Sequence, residues 1–133
     1  MTPKTCHVMV VDDEAEVREA LKGLVEDLGY DAVGAENGEK ALEQLRDGLR
    51  PELMLIDLAM PVMNGWELVL ELSAAPGLRE IPVAILTAFD QSRVEHPRPL
   101  KSAGTLLKPC RKTDITSILE RFCGPPNGSA PPR

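Results

Sequence analysis

The residues with the clearest chemical potential are polar, and each follows a short apolar segment. Asp12 and Asp13 come directly after "VMVV", and Asp57 comes directly after "LMLI". A carboxylate at the end of such a run must be paired, metal-bound or partly hydrated, because burying an isolated charge is costly. Thr87 follows "VAIL" and Lys108 follows "TLL". Carboxylates, a hydroxyl and an ammonium therefore each follow a separate apolar run.

These residue types fit phosphoryl transfer assisted by a divalent cation. Carboxylates that lie close together repel one another, and a hard cation such as Mg²⁺, which prefers oxygen ligands, removes that conflict. A carboxylate can also act as a nucleophile and carry a phosphoryl group as an aspartyl phosphate. A lysine and a hydroxyl can stabilise the oxygens of the transferring group.

The elements that would bring these residues together are five apolar runs that alternate with helical patterns. We predict strands at residues 6–11, 30–35, 53–57, 81–87 and 105–109, and helices within 14–29, 37–48, 65–75 and 112–122. Parallel strands need crossover connections, so this alternation predicts a parallel sheet with helices on both faces. Ligands of such sheets bind beyond the carboxyl ends of the strands, near the topological switch point.

Two proline-containing segments interrupt the pattern. The segment between the fourth and fifth strands contains "HPRP", and proline removes a backbone donor and disfavours helix at the preceding residue. We therefore predict a short or broken fourth helix there. The tail "GPPNGSAPPR", residues 124–133, is typical of disorder or of the start of a linker. We expect one folded domain over residues 4–123 and, on balance, a protein that acts without a second domain.

Composition narrows the function class. The chain has 133 residues, of which 43% are hydrophobic and 3% aromatic, so its core must be aliphatic. A net charge of −6 and the lack of a Lys/Arg run disfavour direct binding to nucleic acid or to a membrane surface. Three cysteines, an odd number without metal-type spacing, disfavour a disulfide framework and a zinc site, and we expect Cys6 to be a small core residue of a cytoplasmic protein.

Four segments taken together resemble the receiver domain of two-component response regulators: "VVDDE", "DLAMPVMNGWEL", "ILTA" and "LLKP". They occur in the family's order and near its spacing, and the resemblance covers about residues 4–123. It implies a flavodoxin-like, doubly wound α/β fold with a five-stranded parallel sheet of order 2-1-3-4-5 and about five helices. It also implies a switch that accepts a phosphoryl group from a histidine kinase or a histidine phosphotransfer protein, with Mg²⁺ as cofactor.

The resemblance assigns the acidic residues by position. Asp57 corresponds to the phosphoacceptor. Asp12 and Asp13 correspond to the acidic pocket that, together with Asp57, holds Mg²⁺, and the backbone carbonyl of Ala59 corresponds to a further metal ligand.

The same resemblance assigns the residues around the acceptor. Thr87 corresponds to the hydroxyl that binds the phosphoryl group, and Lys108 to the lysine that pairs with it, the bond from Lys108 to Pro109 being cis in the family. Pro61 and Gly65 correspond to residues that shape the loop after the acceptor. Output would come from altered contacts with a downstream protein target, and phosphorylation-dependent dimers are common in the family.

One departure keeps a second function open. Three residues before the lysine the family usually has an aromatic side chain that couples to the phosphoryl site, and Thr105 stands there. A pseudo-receiver that binds partners without phosphorylation is therefore an alternative. A phosphatase with an aspartyl nucleophile is a further one, but such enzymes need a second aspartate where this chain has Ala59.

Overall fold

From the first to the fourth strand, strands and helices alternate along the chain as the apolar pattern predicts. The computed structural model describes residues 6–58, 63–87, 102–107 and 111–124. Five parallel strands form one sheet of order β2-β1-β3-β4-β5, so the predicted doubly wound α/β fold is confirmed. The strands are β1 (His7–Val11), β2 (Asp31–Ala35), β3 (Leu53–Asp57), β4 (Val83–Thr87) and β5 (Ser102–Leu107).

Four helices lie within the described residues, rather than the five of the prediction. They are α1 (Ala15–Asp27), α2 (Gly38–Arg46), α3 (Gly65–Ala74) and α4 (Lys112–Cys123). The short or broken helix predicted between β4 and β5 falls mainly in residues 88–101, which lie outside the described part of the chain. Among the described helices, none combines the length and the apolar character that a bilayer crossing requires.

The alternation of side chains along the strands divides the core into two apolar layers. In β1, Met9 and Val11 belong to the layer under α2 and α3, whereas Val8 and Val10 belong to the layer under α1 and α4. All five residues of β3 are buried. Strands covered on both faces lose the apolar and polar alternation of a half-exposed sheet, which explains why the sequence shows continuous apolar runs.

The strand β5 begins earlier than predicted. We expected it to start at Thr105, but it starts at Ser102, and the pairing with β4 shifts register so that Val83 faces Ser102 while Ala84 faces Gly104. One residue, Ala103, is therefore extra, as in a β-bulge. Gly104 has a φ of 113°, a conformation that glycine adopts without steric cost. Small residues with a bulge carry no apolar pattern, so the sequence did not reveal this half of the strand.

Cys6 is buried in the core as predicted, but the expectation that the cysteines form no disulfide was wrong. Cys6, just before β1, and Cys123, the last residue of α4, form a disulfide with their Cα atoms 5.6 Å apart. They are separated by 117 positions in the sequence, and cysteine spacing carries no information about a pair that only tertiary packing brings together. Beside this bond the hydroxyl of Tyr30 donates to the carbonyl of Gly124. The end of α4 is therefore fastened to the amino end of the sheet by two bonds.

The start of α3 passes very close to the end of β3. The amide of Gly65 donates to the carbonyl of Leu58 at 3.0 Å. A Cβ atom at Gly65 would lie 2.6 Å from the carbonyl oxygen of Asp57 and 2.8 Å from the Cα of Leu58. Asn64 caps the helix, because its side chain accepts from the Glu67 amide at 2.9 Å while the Glu67 carboxylate accepts from the Asn64 amide at 2.9 Å. Glycine is therefore required at the first position of α3.

Replacement of Gly65 by alanine tests this close approach. We expect Gly65→Ala to lower the free energy of unfolding by about 1–3 kcal/mol, because the new methyl group overlaps backbone atoms that cannot move aside cheaply. Gly23→Ala is the matched control, since a Cβ there meets nothing within 4 Å. Because position 23 is helical, Gly23→Ala should instead raise the free energy of unfolding by roughly 0.5–1 kcal/mol. Urea unfolding measures both, and equal stability of the two variants would contradict the close approach.

Tyr30 is the chain's one tyrosine, so its ionisation can be followed by ultraviolet absorbance. Burial, and secondly the negative charge of Glu120, raise the pKa of Tyr30 above 10.0. The folded state therefore favours the protonated hydroxyl of Tyr30. The stability that this hydroxyl contributes is fully present below pH 10.0 and is lost as the pH rises through the folded-state pKa of Tyr30. We expect an alkaline midpoint above that of the urea-unfolded chain and a smaller difference in Glu120→Gln. Coincident folded and unfolded midpoints would contradict the burial.

Candidate functional site

Three aspartates meet at the carboxyl end of the sheet. One carboxylate oxygen from each of Asp12, Asp13 and Asp57 lies within 4.8 Å of the others. Asp12 follows β1 and Asp57 ends β3, and these strands are neighbours in the sheet. The connections from β1 and β3 run to opposite faces of the sheet, which makes this the topological switch point, where ligands of such folds bind.

The period of the strands explains why two of these carboxylates share a face. Val8 and Val10 of β1 pack in the layer under α1 and α4, as do Leu53 and Leu55 of β3. Successive side chains of a strand alternate between faces, so the next members of both series are Asp12 and Asp57. Val11 pairs with Ile56 across the two strands, which places both aspartates at the same level.

Asp12 is held firmly by the backbone around it. It is fully buried, and its carboxylate accepts from the amide of Glu14 at 2.9 Å. Its own amide donates to the carbonyl of Ala35 at 3.1 Å. Its carbonyl accepts from the guanidinium of Arg18 at 2.9 Å. These bonds fix the turn between β1 and α1, and they leave Asp13 exposed at the mouth of the site.

Arg18 was not identified from the sequence. Its bond to the Asp12 carbonyl ties the first turns of α1 to the acidic loop. The only signal was a basic residue on the polar side of an amphipathic helix that follows two acids, and most such residues are simply solvated. A sequence does not reveal a contact with a backbone carbonyl, because every residue has such a carbonyl and no residue type marks the one that is used.

Asp57 lies at the boundary between strand and loop. It pairs with Leu86 of β4, and the following residue, Leu58, donates its amide to the Leu86 carbonyl at 3.1 Å. Only 5% of Asp57 is exposed. Pairing with β4 therefore holds the backbone at Asp57 and at the residue that follows it. The Asp57 carboxylate lies in the cluster with Asp12 and Asp13.

The two remaining strands end at the same edge. Thr87 is the last residue of β4 and pairs with Leu107, the last residue of β5. The described part of the chain resumes after β5 at Arg111, so Lys108 and Pro109 lie outside it, as do Ala59 and Pro61. For Thr87 and Thr105 the structure describes the backbone alone. Of the predicted site residues, Asp12, Asp13, Asp57 and Gly65 therefore lie in the part of the chain for which the structure describes the surroundings.

The electrostatics of the cluster favour a cation. Two unit charges about 5 Å apart repel by on the order of 3 kcal/mol at an effective dielectric constant of about 20. Asp12 and Asp57 are both buried, so water screens them poorly. Three carboxylate groups supply the hard oxygen ligands that suit Mg²⁺, which takes one or two carboxylates and keeps several waters. The donor set at this edge fits that ion.

Comparison with known proteins agrees with this geometry. A family model described as the response regulator receiver domain matches residues 8–120. The positive alginate biosynthesis regulatory protein of Pseudomonas aeruginosa is 37% identical over 124 residues, which make up 90% of this chain and 48% of that protein. The two-component response regulator ORR5 of Oryza sativa subsp. japonica is 28% identical over 116 residues, 86% of this chain and 87% of the relative.

Solved structures show the same fold. A response regulator receiver protein from Pseudomonas putida superposes with a TM-score of 0.81 at 28% identity, covering 90% of this chain and 99% of that one. The receiver domain of a sensor histidine kinase from Pseudomonas aeruginosa, which has a magnesium ion coordinated in its active site cleft, gives a TM-score of 0.80 at 24% identity. It covers 91% of this chain and 99% of that domain.

The flavodoxin-like sheet, the three aspartates at its switch point and the match over residues 8–120 lead to one assignment. The chain belongs to the response regulator receiver domain family.

Proposed function

We propose that this chain is a phosphoacceptor switch in which Asp57 receives a phosphoryl group from a histidine kinase or a histidine phosphotransfer protein. The observation that carries the proposal is the convergence of Asp12, Asp13 and Asp57 within 4.8 Å at the carboxyl edge of the sheet. The chain spans about half the length of the alginate regulator and most of the rice regulator that it resembles. The proposal therefore concerns the receiver activity alone.

Asp57 acts as the nucleophile. A carboxylate oxygen attacks the phosphorus, an oxygen–phosphorus bond forms, and the bond from phosphorus to the donor's imidazole nitrogen breaks with its electron pair leaving on the nitrogen. Its position supports this role, since Asp57 pairs with Leu86 of β4 and the next residue, Leu58, also bonds to Leu86, so that the backbone around Asp57 is held in the sheet. A nucleophile fixed at a strand end needs little reorganisation to meet the donor. Attack of water on the same phosphorus later restores the carboxylate, so the chain assists its own phosphorylation and dephosphorylation without turning over a metabolite.

Asp12, Asp13 and Asp57 would hold Mg²⁺, with the backbone carbonyl of Ala59 as a further ligand. When bound, the ion neutralises the carboxylates and the negative charge of the phosphoryl oxygens. The donor set supports this assignment, because the ligand atoms are all oxygens and converge on one point. The contacts of Asp12 with Glu14, Ala35 and Arg18 keep its carboxylate aimed at that point.

Thr87 and Lys108 complete the proposed site. Thr87 would donate its hydroxyl to a phosphoryl oxygen, and the Lys108 ammonium would pair with another, with Pro109 fixing the turn that aims it. The sheet supports both roles, since β4 and β5 end side by side at the edge where Asp57 lies. Pro61 and Gly65 would shape the loop between the acceptor and α3, and the close approach of Gly65 to Asp57 agrees with that.

Phosphorylation would be read out as changed contacts with a downstream protein, or as dimerisation, in the cytoplasm. Thr105 replaces the aromatic side chain through which family members couple the phosphoryl site to their output surface. Coupling in this chain would therefore depend on Thr87 and on the turn after β5 rather than on an aromatic ring.

Incubation with acetyl phosphate and Mg²⁺, followed by intact mass measurement, tests the phosphoacceptor. We expect the wild type to gain the mass of one phosphoryl group and Asp57→Asn to gain none, because an amide cannot attack phosphorus. Asp31→Asn is the control, since Asp31 is an exposed carboxylate at the opposite end of the sheet, and it should be modified like the wild type. An unmodified wild type would favour the pseudo-receiver, and steady phosphate release from a phosphomonoester would favour the phosphatase.

The metal assignment has a separate test in the unphosphorylated protein. A ligand that binds only the folded state raises its stability by RT ln(1 + [L]/Kd), so millimolar Mg²⁺ should raise the thermal midpoint of the wild type. We expect Asp13→Asn to weaken Mg²⁺ binding at least about tenfold by calorimetry. Glu14→Gln removes the same charge from the next exposed residue and should change the affinity by less than about threefold. An equal loss of Mg²⁺ affinity in both variants would indicate general electrostatic attraction rather than coordination by Asp13.

A further inference from the structure

We propose that Cys6 and Cys123 form a reversible thiol–disulfide site that responds to small thiols and disulfides and controls how tightly the end of α4 is held on the sheet. Nothing in the proposed phosphoryl chemistry requires this pair, because it lies at the amino end of β1 whereas Asp12 follows the carboxyl end. The proposal is therefore independent of the phosphoacceptor function.

The fold keeps the two sulfurs together whether or not they are bonded. Cys6 lies just before β1 and is already fixed to the sheet, because its carbonyl accepts from the amide of Asp31, the first residue of β2, at 2.9 Å. At the other end, α4 is anchored by the buried side chains of Ile115, Ile118 and Leu119. Both partners thus stay near each other in the reduced protein, which gives each thiol a high effective concentration toward the other. Their Cα separation of 5.6 Å lies within the range of ordinary disulfides.

The two sulfurs differ in access, which sets the order of the exchange. Cys6 is 7% exposed and belongs to the core layer under α1 and α4, whereas Cys123 is only partly buried at its margin. A reagent therefore reaches the bond from the side of Cys123. Reagent access decides which sulfur of a disulfide is attacked.

The exchange balances with a monothiol as the reductant. A reagent thiolate attacks the Cys123 sulfur, the protein disulfide breaks, and the electron pair leaves on the Cys6 sulfur, which takes up a proton. A second reagent thiolate attacks the reagent sulfur of the mixed disulfide, so Cys123 leaves as a thiolate and is protonated. Two reagent thiols are oxidised to one reagent disulfide, and the protein disulfide becomes two thiols. Oxidation by a low-molecular-weight disulfide such as oxidised glutathione is the reverse reaction.

Opening the bond should loosen one turn of helix. The last turn of α4 is tied to the rest of the chain by the disulfide and by the bond from the Tyr30 hydroxyl to the Gly124 carbonyl. The Gly124 amide donates to the Glu120 carbonyl at 3.0 Å, so its hydrogen exchange reports whether that turn is closed. The buried middle of α4 does not depend on the disulfide or on the Tyr30 hydrogen bond, because Ile115, Ile118 and Leu119 hold it against the core. The reduced form therefore keeps the helix but frays its end, where the chain continues into residues 125–133.

The test compares the wild type with single serine variants after treatment with dithiothreitol and, separately, with oxidised glutathione. Cys110→Ser is the matched control, because it removes the remaining cysteine of the three. Alkylation and intact mass should show one reversible disulfide in the wild type and in Cys110→Ser, and none within the chain in Cys123→Ser. Oxidation should raise the thermal midpoint by roughly 10 °C, since the bond closes a loop of most of the chain. The Gly124 amide should exchange at least about tenfold faster after reduction.

Three results would overturn the proposal. The first is a disulfide that maps to Cys110, and the second is the absence of any internal disulfide after oxidised glutathione. The third is a Cys6–Cys123 bond whose reduction changes neither the thermal midpoint nor the exchange of the Gly124 amide. The comparison of reduced with oxidised wild type needs no variant, so a folding defect in Cys6→Ser or Cys123→Ser does not affect the result. Phosphorylation of the reduced protein by acetyl phosphate separates a failure here from a failure of the phosphoacceptor.

Discussion

Repulsion between carboxylates that the sheet forces together is the interaction on which the candidate site depends. Asp12 and Asp57 are buried and, with Asp13, bring three carboxylate oxygens within 4.8 Å. In the free protein this arrangement costs stability, and the aliphatic layers on both faces of the sheet must offset it. Three carboxylate oxygens so close together form a donor set that suits a small hard cation such as Mg²⁺.

The scaffold holds the carboxylates in place mainly through the backbone. Asp57 is fixed by strand pairing with β4. The amide of Asp12 donates to the Ala35 carbonyl, its carboxylate accepts from the Glu14 amide, and its carbonyl accepts from the Arg18 guanidinium. The start of α3 can pack against the end of β3 because Gly65 has no side chain, and the capping box at Asn64 fixes where that helix begins. Backbone constraints of this kind preorganise the positions of the carboxylates.

The two ends of the sheet have different chemistry. The carboxyl edge gathers acidic groups in one cluster, whereas the amino edge carries the bond between Cys6 and Cys123 and the hydrogen bond from Tyr30. Between them, β1 is buried throughout except at its first residue. The strand β1 thus separates the acidic cluster at the carboxyl edge from the disulfide and the hydrogen bond that hold the end of α4.

The sequence by itself determined the fold class and the acidic edge. Continuous apolar runs such as "LMLI" required strands covered on both faces, and the polar residue after each run had to lie at one edge because parallel strands all end on the same side. Only the tertiary structure decided what depends on contacts between distant segments. The disulfide joins residues 117 positions apart, the Arg18 bond goes to a backbone carbonyl, and the bulge before Gly104 lies in small residues without a pattern. Local spacing encodes periodicity and turn chemistry, but it does not encode which surfaces meet when the helices pack onto the sheet.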